Sequence, residues 1–414
     1  MNAVVAQPHN HFKGVAVVID DEIDAEPGIL AIIDAIEGGG GHTVKLTELP
    51  AEEADLEHFA GVAFFIMDWH LAGGQGVTLP EAVAEEERKR KLAFLDRLRK
   101  QRHAPVFIFT NEDLDEVREQ LAALGPEGAH ILVRSKGDVA DRVYEELNLW
   151  ANEFPSVLAL KSWERRNRQA INGLFNELHD RHRYWPVILW ETFARDSVPA
   201  NREIGHLISR LVAARTEAPD LNLEGFLPQL AEELGRDEAA YRQALLGVLE
   251  SERFIRNEFL DPDSFSTGDV FMNVGDNGNR TYWLNIRAEC DCITRDAGTP
   301  AMFLLKGQPI ADGGLTFIPG AGAVAERDNE AIVYAMYEGT HVRFRFLEDI
   351  KIQKWAGQSG WKNKRIGRLL PPFLTRLLER YAAYSHRPGL PRVPTVLLPP
   401  EETGNDNNVP GTGG

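Results

Sequence analysis

The chain has 414 residues and a formal net charge of −18, from 45 lysines and arginines against 63 aspartates and glutamates. Because one hydrophobic core rarely serves more than about 250 to 300 residues, this length predicts two or three domains. The acidic excess argues against a protein that coats nucleic acid or an anionic membrane, and a hydrophobic content of 43% excludes a largely disordered chain.

From residue 14 to about residue 150, short apolar runs alternate with helical patterns, which is typical of a parallel sheet covered by helices. We therefore predict an α/β domain with a doubly wound, five-stranded parallel sheet. A charged stretch at Leu79–Arg102 has acidic residues three to five positions before basic ones, which favours a solvated helix. The strands are expected at Val15–Ile19, Thr43–Leu46, Val62–Met67, Val106–Phe109 and Ile131–Val133.

The rest of the chain changes character twice. Residues 157–259 have helical spacing, and residues 268–354 have short β-type runs separated by turns. We expect a helical domain, a small barrel-like β domain and a helix from about Arg368 to Ser385. The predicted divisions are a flexible N-terminus at 1–11, the sheet domain at 12–152, a helical linker and helical, winged-helix-like domain at 153–262, a β-rich domain at 263–360, a C-terminal helix and Pro-rich segment at 361–398, and a disordered tail at 399–414.

The cysteine content and the N-terminus bear on the compartment. The only cysteines, Cys290 and Cys292, provide no disulfide framework, so a reducing compartment is expected. The N-terminal residues lack the basic flank and apolar core of a signal peptide, and no apolar run approaches the roughly 20 residues that span a bilayer. We predict a cytoplasmic protein without a membrane partner.

Residues 227–254 have the spacing of a helix-turn-helix, which leaves a DNA-binding transcriptional regulator as an alternative function. A DNA-reading helix should present cations and amides to the bases and phosphates. Here the second helix begins with Asp237 and Glu238, and their negative charges would be repelled by the phosphates of DNA. We therefore do not expect nucleic acid as a partner.

Two clusters of potential ligands are incomplete in the sequence. His179 and His182 suit either a phosphorelay histidine or a metal pair, and Cys290 and Cys292 suit a soft metal. Neither pair has further ligands nearby, so a solvated helix and structural packing are favoured. No phosphate-binding loop or hydrolase motif follows residue 150, so an output enzyme has no support in the sequence.

Polar residues stand at the ends of the predicted strands, where open α/β sheets bind their ligands. Three carboxylates that converge there would repel one another unless a divalent cation neutralised them, and Mg²⁺ is the small oxygen-seeking ion that suits such a site. A carboxylate can also attack phosphorus and form an aspartyl phosphate. The residues at these strand ends are Asp20, Asp21, Asp68, Thr110 and Lys136.

Over residues 12–150 these strand ends resemble the receiver domain of two-component response regulators. The resemblance implies a flavodoxin-like fold in which Asp68 accepts a phosphoryl group from a histidine kinase. It implies that Mg²⁺ is held by Asp20, Asp21 and Asp68 with the backbone carbonyl of His70, and that Thr110 and Lys136 contact the phosphoryl group. The matching motifs are Val17–Glu22, Phe64–Leu71, Phe107–Asp113 and Val133–Lys136.

The chain departs from the receiver pattern at two positions and in the segment between Asp68 and Thr110, which is longer than in most receivers and is interpreted as an insertion, with a partner surface as the alternative. Gly137 follows the lysine where the family usually has proline, and Val133 stands where an aromatic switch residue is usual. Coupling between phosphorylation and the surface is therefore expected to differ from that of the family. The alternative is a degenerate receiver that keeps the fold without phosphorylation, although acceptor, metal ligands, hydroxyl and lysine are all present.

The second half is similar to uncharacterised bacterial proteins that join a receiver to a β-rich C-terminal domain. Such receivers are linked to anti-phage two-component-like systems such as Detocs, in which one receiver protein buffers the phosphoryl signal to a separate effector. The resemblance implies a signalling protein that acts through protein interaction, as a phosphate buffer or an adaptor, with a kinase and an effector as partners. The similarity lies at Gly268–Phe271, Tyr282–Leu284, Glu289–Asp291, Arg365–Pro372 and Gly389–Pro391.

Overall fold

A computed structural model divides the chain into two compact units, residues 1–232 and residues 233–414. The predicted flexible N-terminus and tail, and the motif Gly389–Pro391, lie outside the described residues, and the finer domain boundaries remain predictions. The structure describes residues 12–50, 56–59, 61–71, 80–101, 104–124, 131–139, 142–219, 221–293, 300–347, 350–355, 360–388, 394 and 397.

The first unit contains a five-stranded, all-parallel sheet with the strand order β2-β1-β3-β4-β5. All five predicted strands are present. The chain reverses its winding between β1 and β3, which is the point where ligands bind in sheets of this order. The topology is compatible with a flavodoxin-like receiver fold. The strands are β1 (Val15–Ile19), β2 (His42–Leu46), β3 (Val62–Asp68), β4 (Val106–Thr110) and β5 (Ile131–Ser135).

Helices cover both faces of this sheet because the central strands are apolar on both sides. Side chains of α1 and α5 pack with Phe64 and Phe107 on one face. Side chains of α2 and α3 pack with Phe65 and Ile108 on the other. The outer side of α2 carries ion pairs three and four residues apart, as its charge pattern predicts. The helices are α1 (Pro27–Gly38), α2 (Glu81–Gln101), α3 (Leu114–Leu121), α4 (Lys136–Val139) and α5 (Val143–Glu153).

A helical segment follows the sheet in the first unit. Its longest helix has Pro155 in its first turn, where the missing amide costs no hydrogen bond. Ala170 and Leu174 of that helix are buried, whereas Trp163 is half exposed. None of the described helices has the length and apolarity needed to cross a membrane. The helices are α6 (Pro155–Arg181), α7 (Trp185–Arg195), α8 (Ala200–Arg215) and α9 (Leu227–Arg236), and α9 extends into the second unit.

The second unit contains α10 (Glu238–Arg253), α11 (Phe373–Ser385) and an antiparallel sheet of eight strands that curls into a half-barrel. The order is β10-β11-β9-β8-β7-β13-β6, and β12 also pairs with β9. Val342 and Phe344 are buried on one face of β11, as the alternating sequence predicts. The strands are β6 (Phe254–Arg256), β7 (Asp269–Val274), β8 (Arg280–Asn285), β9 (Ala301–Ile310), β10 (Glu330–Tyr337), β11 (Thr340–Arg345), β12 (Lys351–Lys354) and β13 (Arg365–Leu369).

The last helix begins later than the sequence pattern predicts. Arg368 and Leu369 belong to β13, which pairs with β6 and β7, and α11 starts only at Phe373. Gly367 permits this pairing, because a Cβ there would collide with the carbonyl oxygen of Ile255. The pairing of a distant strand therefore overrides the local helical pattern.

A buried ion cluster ties β7 to β13. Asp269 is fully buried, accepts from Arg368 Nε at 2.6 Å and from the Ser266 amide at 3.0 Å, and lies 3.4 Å from Arg365 Nη1. The Arg365 side chain also donates to the Asp261 carbonyl at 2.8 Å. One carboxylate thus compensates two guanidinium groups away from water.

Replacing Asp269 with asparagine should destabilise the second unit strongly. The substitution leaves two buried or half-buried guanidinium groups without their anion, which costs about 3–5 kcal/mol. Amide hydrogen exchange in β7 and β13 should accelerate by about a hundredfold or more. The exposed Asp263, which pairs with Lys362, is the matched control, and Asp263→Asn should change exchange little. Equal effects of the two variants would contradict the role given to the cluster.

Candidate functional site

Four strand ends of the first unit converge at the carboxyl edge of the parallel sheet. Asp20 follows β1, Asp68 ends β3 and Thr110 ends β4, while Lys136 follows β5 as the first residue of α4. Because β1, β3, β4 and β5 are consecutive in the sheet, these residues are brought side by side. All four are buried, with at most 7% of their surface exposed.

One ammonium group links the carboxylates of this edge. Lys136 Nζ donates to Asp20 Oδ2 at 2.9 Å and to Asp68 Oδ2 at 2.9 Å. It also donates to Glu26 Oε2. Three buried carboxylates therefore share one cation, and Asp21 adds a fourth negative charge at the partly exposed mouth. Within these contacts, negative charges outnumber positive charges.

The carboxylate geometry suits a small divalent cation. Each of Asp20, Asp21 and Asp68 offers an oxygen within 4.8 Å of the others, and no other group of three potential ligands converges in the part of the chain that the structure describes. Carboxylate oxygens are the ligands that Mg²⁺ prefers. These three residues would hold the ion, and the excess charge on the cluster gives the physical reason to bind it.

Burial controls the protonation of the acidic side chains. It raises the pKa of Asp68 to about 6, and this effect outweighs the opposing attraction of Lys136 and the hydrogen bond from the His70 amide. Burial likewise raises the pKa of Asp20. Burial lowers the pKa of Lys136, but the surrounding carboxylates outweigh it and hold that pKa above its usual value. The lysine therefore remains charged. The carboxylates repel one another, and this repulsion costs folding free energy.

The backbone fixes the orientation of the acceptor and the hydroxyl. Asp68 Oδ1 accepts from the His70 amide at 3.2 Å, and Thr110 Oγ1 accepts from the Glu112 amide at 3.0 Å. The hydroxyl of Thr110 therefore keeps its own hydrogen for another acceptor. The His70 ring nitrogen Nδ1 lies 3.1 Å from Glu112 Oε1. The binding of Mg²⁺ by the backbone carbonyl of His70 stays a prediction.

Two residues of this site were not found by reading strand ends. Glu26 stands just before Pro27 at the start of α1, accepts from Asn111 Nδ2 at 3.1 Å and binds Lys136. Lys91 of α2 is buried, donates to the carbonyl oxygen of Trp69, and lies 4.5 Å from the centroid of the Trp69 ring. Glu26 lies in the same loop as Asp20, between β1 and α1, and this position could have indicated that it is near the site. Nothing local marked Lys91 within its charged helix.

The other candidate ligands do not form sites in the described residues. His179 and His182 are exposed at the end of α6. Cys290 is exposed, whereas Cys292 is packed with Phe271, and burial raises the pKa of its thiol to about 11. The exposed histidines agree with a solvated helix and Cys292 agrees with structural packing, whereas Cys290 is not packed in the core.

The region considered for DNA binding forms two helices, α9 and α10. Asp237 caps α10 by accepting from the Ala240 amide at 3.0 Å, which gives this acidic residue a structural role. The first turn of α10 thus carries acidic groups where a recognition helix would need cations. Comparisons with known proteins add no assignment, because no family model and no curated protein matches the chain.

Proposed function

We propose that the first unit is a receiver-type phosphoacceptor, in which Asp68 takes a phosphoryl group from a histidine kinase with the help of Mg²⁺. The observation that carries the proposal is the joint binding of Lys136 to Asp20 and Asp68 at the switch point of the sheet. A cation, a hydroxyl and a group of carboxylates around one buried aspartate are the parts that phosphoryl transfer needs.

The chemistry follows from the position of each group. An oxygen of Asp68 forms a bond to phosphorus as the bond from phosphorus to the kinase histidine breaks, and the imidazole nitrogen keeps the electron pair. Lys136 and the Thr110 hydroxyl supply positive charge and a hydrogen bond for the transferred group. Mg²⁺, when bound by the three aspartates, supplies charge neutralisation for the phosphoryl oxygens. The backbone amide of His70 holds the acceptor in place.

The output proposed for the whole chain is protein interaction. We expect a cytoplasmic signalling role as a phosphate buffer or an adaptor, with a kinase and an effector as partners. This part of the proposal is supported by the resemblance of the C-terminal motifs to receiver-linked proteins of anti-phage systems.

Incubation with an acyl phosphate should add one phosphoryl group to the protein in a Mg²⁺-dependent manner. Three carboxylates that repel an anionic donor in the absence of the metal are the physical reason for this dependence. Intact-protein mass spectrometry with Mg²⁺ and with a chelator measures it. A phosphorylated histidine kinase serves as the second donor. Failure to gain mass from either donor would contradict the proposal and favour a degenerate receiver.

A further inference from the structure

A polar cavity lies in the first unit at the amino-terminal edge of the parallel sheet, opposite the edge that holds Asp68. It has a volume of about 310 Å³ and lies between α6 and the amino-terminal ends of β1 and β3. Ala63 of β3 lines it, five residues before Asp68, so the two sites are about 16 Å apart along the strand. The lining side chains are Lys13, Lys161, Glu164, Arg165, Arg168, Gln169 and Asn172.

One face of α6 supplies most of this lining. Lys161, Arg165 and Arg168 recur three and four residues apart, so they stand in one row along the helix. Arg168 reaches the sheet beside Gly61, where φ is +83° and a Cβ would lie 3.6 Å from its guanidinium. The cavity is therefore bounded mainly by charged and amide side chains of α6 on the helix side, and by Lys13 and Ala63 on the sheet side.

The cavity contains more positive charge than the protein compensates. Glu164 is its single carboxylate and is shared by Lys161 Nζ at 2.9 Å and Arg168 Nη2 at 2.6 Å. Among the described residues, Arg165 and Lys13 have no ion-pair partner. Four cations thus face one anion, within a chain whose net charge is −18. Because the chain as a whole is acidic, this local excess of positive charge is not a property of its overall composition.

Lys161 makes the cavity unlike an ordinary basic surface. Its side chain is 3% exposed and remains at the cavity wall, although burial lowers its pKa. Burying an ammonium group is costly, and a single shared carboxylate compensates it only in part. A multivalent anion in the cavity would complete the compensation.

We propose that this cavity binds a small soluble molecule that carries a diphosphate or a comparable multivalent phosphate group. Guanidinium forks and ammonium groups match phosphate oxygens in geometry and charge. Gln169 and Asn172 at the same wall can donate to further oxygens or to the rest of the ligand. The volume suits a molecule of limited size. The site is separate from Asp68 and does not depend on phosphoacceptor chemistry.

Isothermal titration of the full chain with inorganic pyrophosphate tests the proposal. The wild type should bind, and the variant Lys13→Gln/Arg165→Gln should bind about a hundredfold more weakly, since each lost charge-assisted hydrogen bond is worth about tenfold. Both side chains are exposed, so the fold should persist. Arg181→Gln/Arg183→Gln is the control, because it also removes two positive charges, but at the far end of α6, where Arg181 pairs with Glu177 and Arg183 is exposed.

The outcomes separate the ligand classes. Unchanged affinity in the double variant, or no binding by the wild type, overturns the proposal. Tighter binding of ADP than of pyrophosphate supports a nucleotide as the ligand, whereas equal affinity supports recognition of the diphosphate alone. Binding of a single-stranded oligonucleotide without binding of pyrophosphate overturns the proposal in favour of a nucleic-acid surface.

Discussion

Asp68→Asn should abolish phosphorylation of the chain completely. The substitution preserves the shape of the side chain and the hydrogen bond from the His70 amide, but it replaces the nucleophilic carboxylate with an amide. It also removes the negative charge of one of the three carboxylates that converge for the metal. Intact-protein mass after incubation with donor and Mg²⁺ should show no phosphoryl group in the variant and one in the wild type.

The control for this experiment is another carboxylate near the same edge of the sheet. Asp24 lies in the loop after β1, is 81% exposed at its side chain and pairs with Lys45 at 3.3 Å. Asp24→Asn should therefore be phosphorylated as the wild type is. A mass gain that persists in Asp68→Asn would place the acceptor elsewhere, and peptide mapping of the labelled site would identify it.

The sheet and its polar edge could be predicted because their determinants are local. Strands β1, β3 and β4 are continuous apolar runs, and the polar residue that ends or follows each of them marks the carboxyl edge. Parallel strands joined by helices then bring Asp20 and Asp68 together without further information. The positions of these side chains therefore follow from the sequence, whereas the proposed chemistry depends on the receiver resemblance and awaits the experiment.

The remainder could not be predicted because it depends on contacts between distant segments. Glu26 binds Lys136 across 110 positions of sequence, and the position of Glu26 in the loop after β1 indicates nearness to Asp20 but does not specify the pairing with Lys136. The second sheet also depends on contacts between distant segments. Its strand β13 pairs with β6 and β7 about a hundred residues earlier, and Arg368 was assigned to a helix from its local pattern. Antiparallel order in a curled sheet is set by such pairings, which a single sequence does not display.

Lys136→Met should destabilise the first unit by about 3–5 kcal/mol when a chelator is present, because it leaves three buried carboxylates without their cation. Amide hydrogen exchange in β1, β3 and β4 should accelerate by about a hundredfold or more. Added Mg²⁺ should restore part of the protection, since an ion that binds only the folded carboxylates stabilises the folded state. An absence of any Mg²⁺ effect would contradict the assignment of the metal ligands.

Glu26→Gln distinguishes a shared charge cluster from a set of independent contacts. In the wild-type background it removes a charge-assisted hydrogen bond to Lys136 and should destabilise the first unit by about 1–3 kcal/mol. In the Lys136→Met background the same change removes one of the repelling carboxylates, so it should stabilise the unit instead. This reversal of sign is expected only if the carboxylates share one cation. Asp34→Asn, at an exposed position on α1, should be nearly neutral in both backgrounds. Additive effects of Glu26→Gln and Lys136→Met would mean that the ammonium does not hold the carboxylates together.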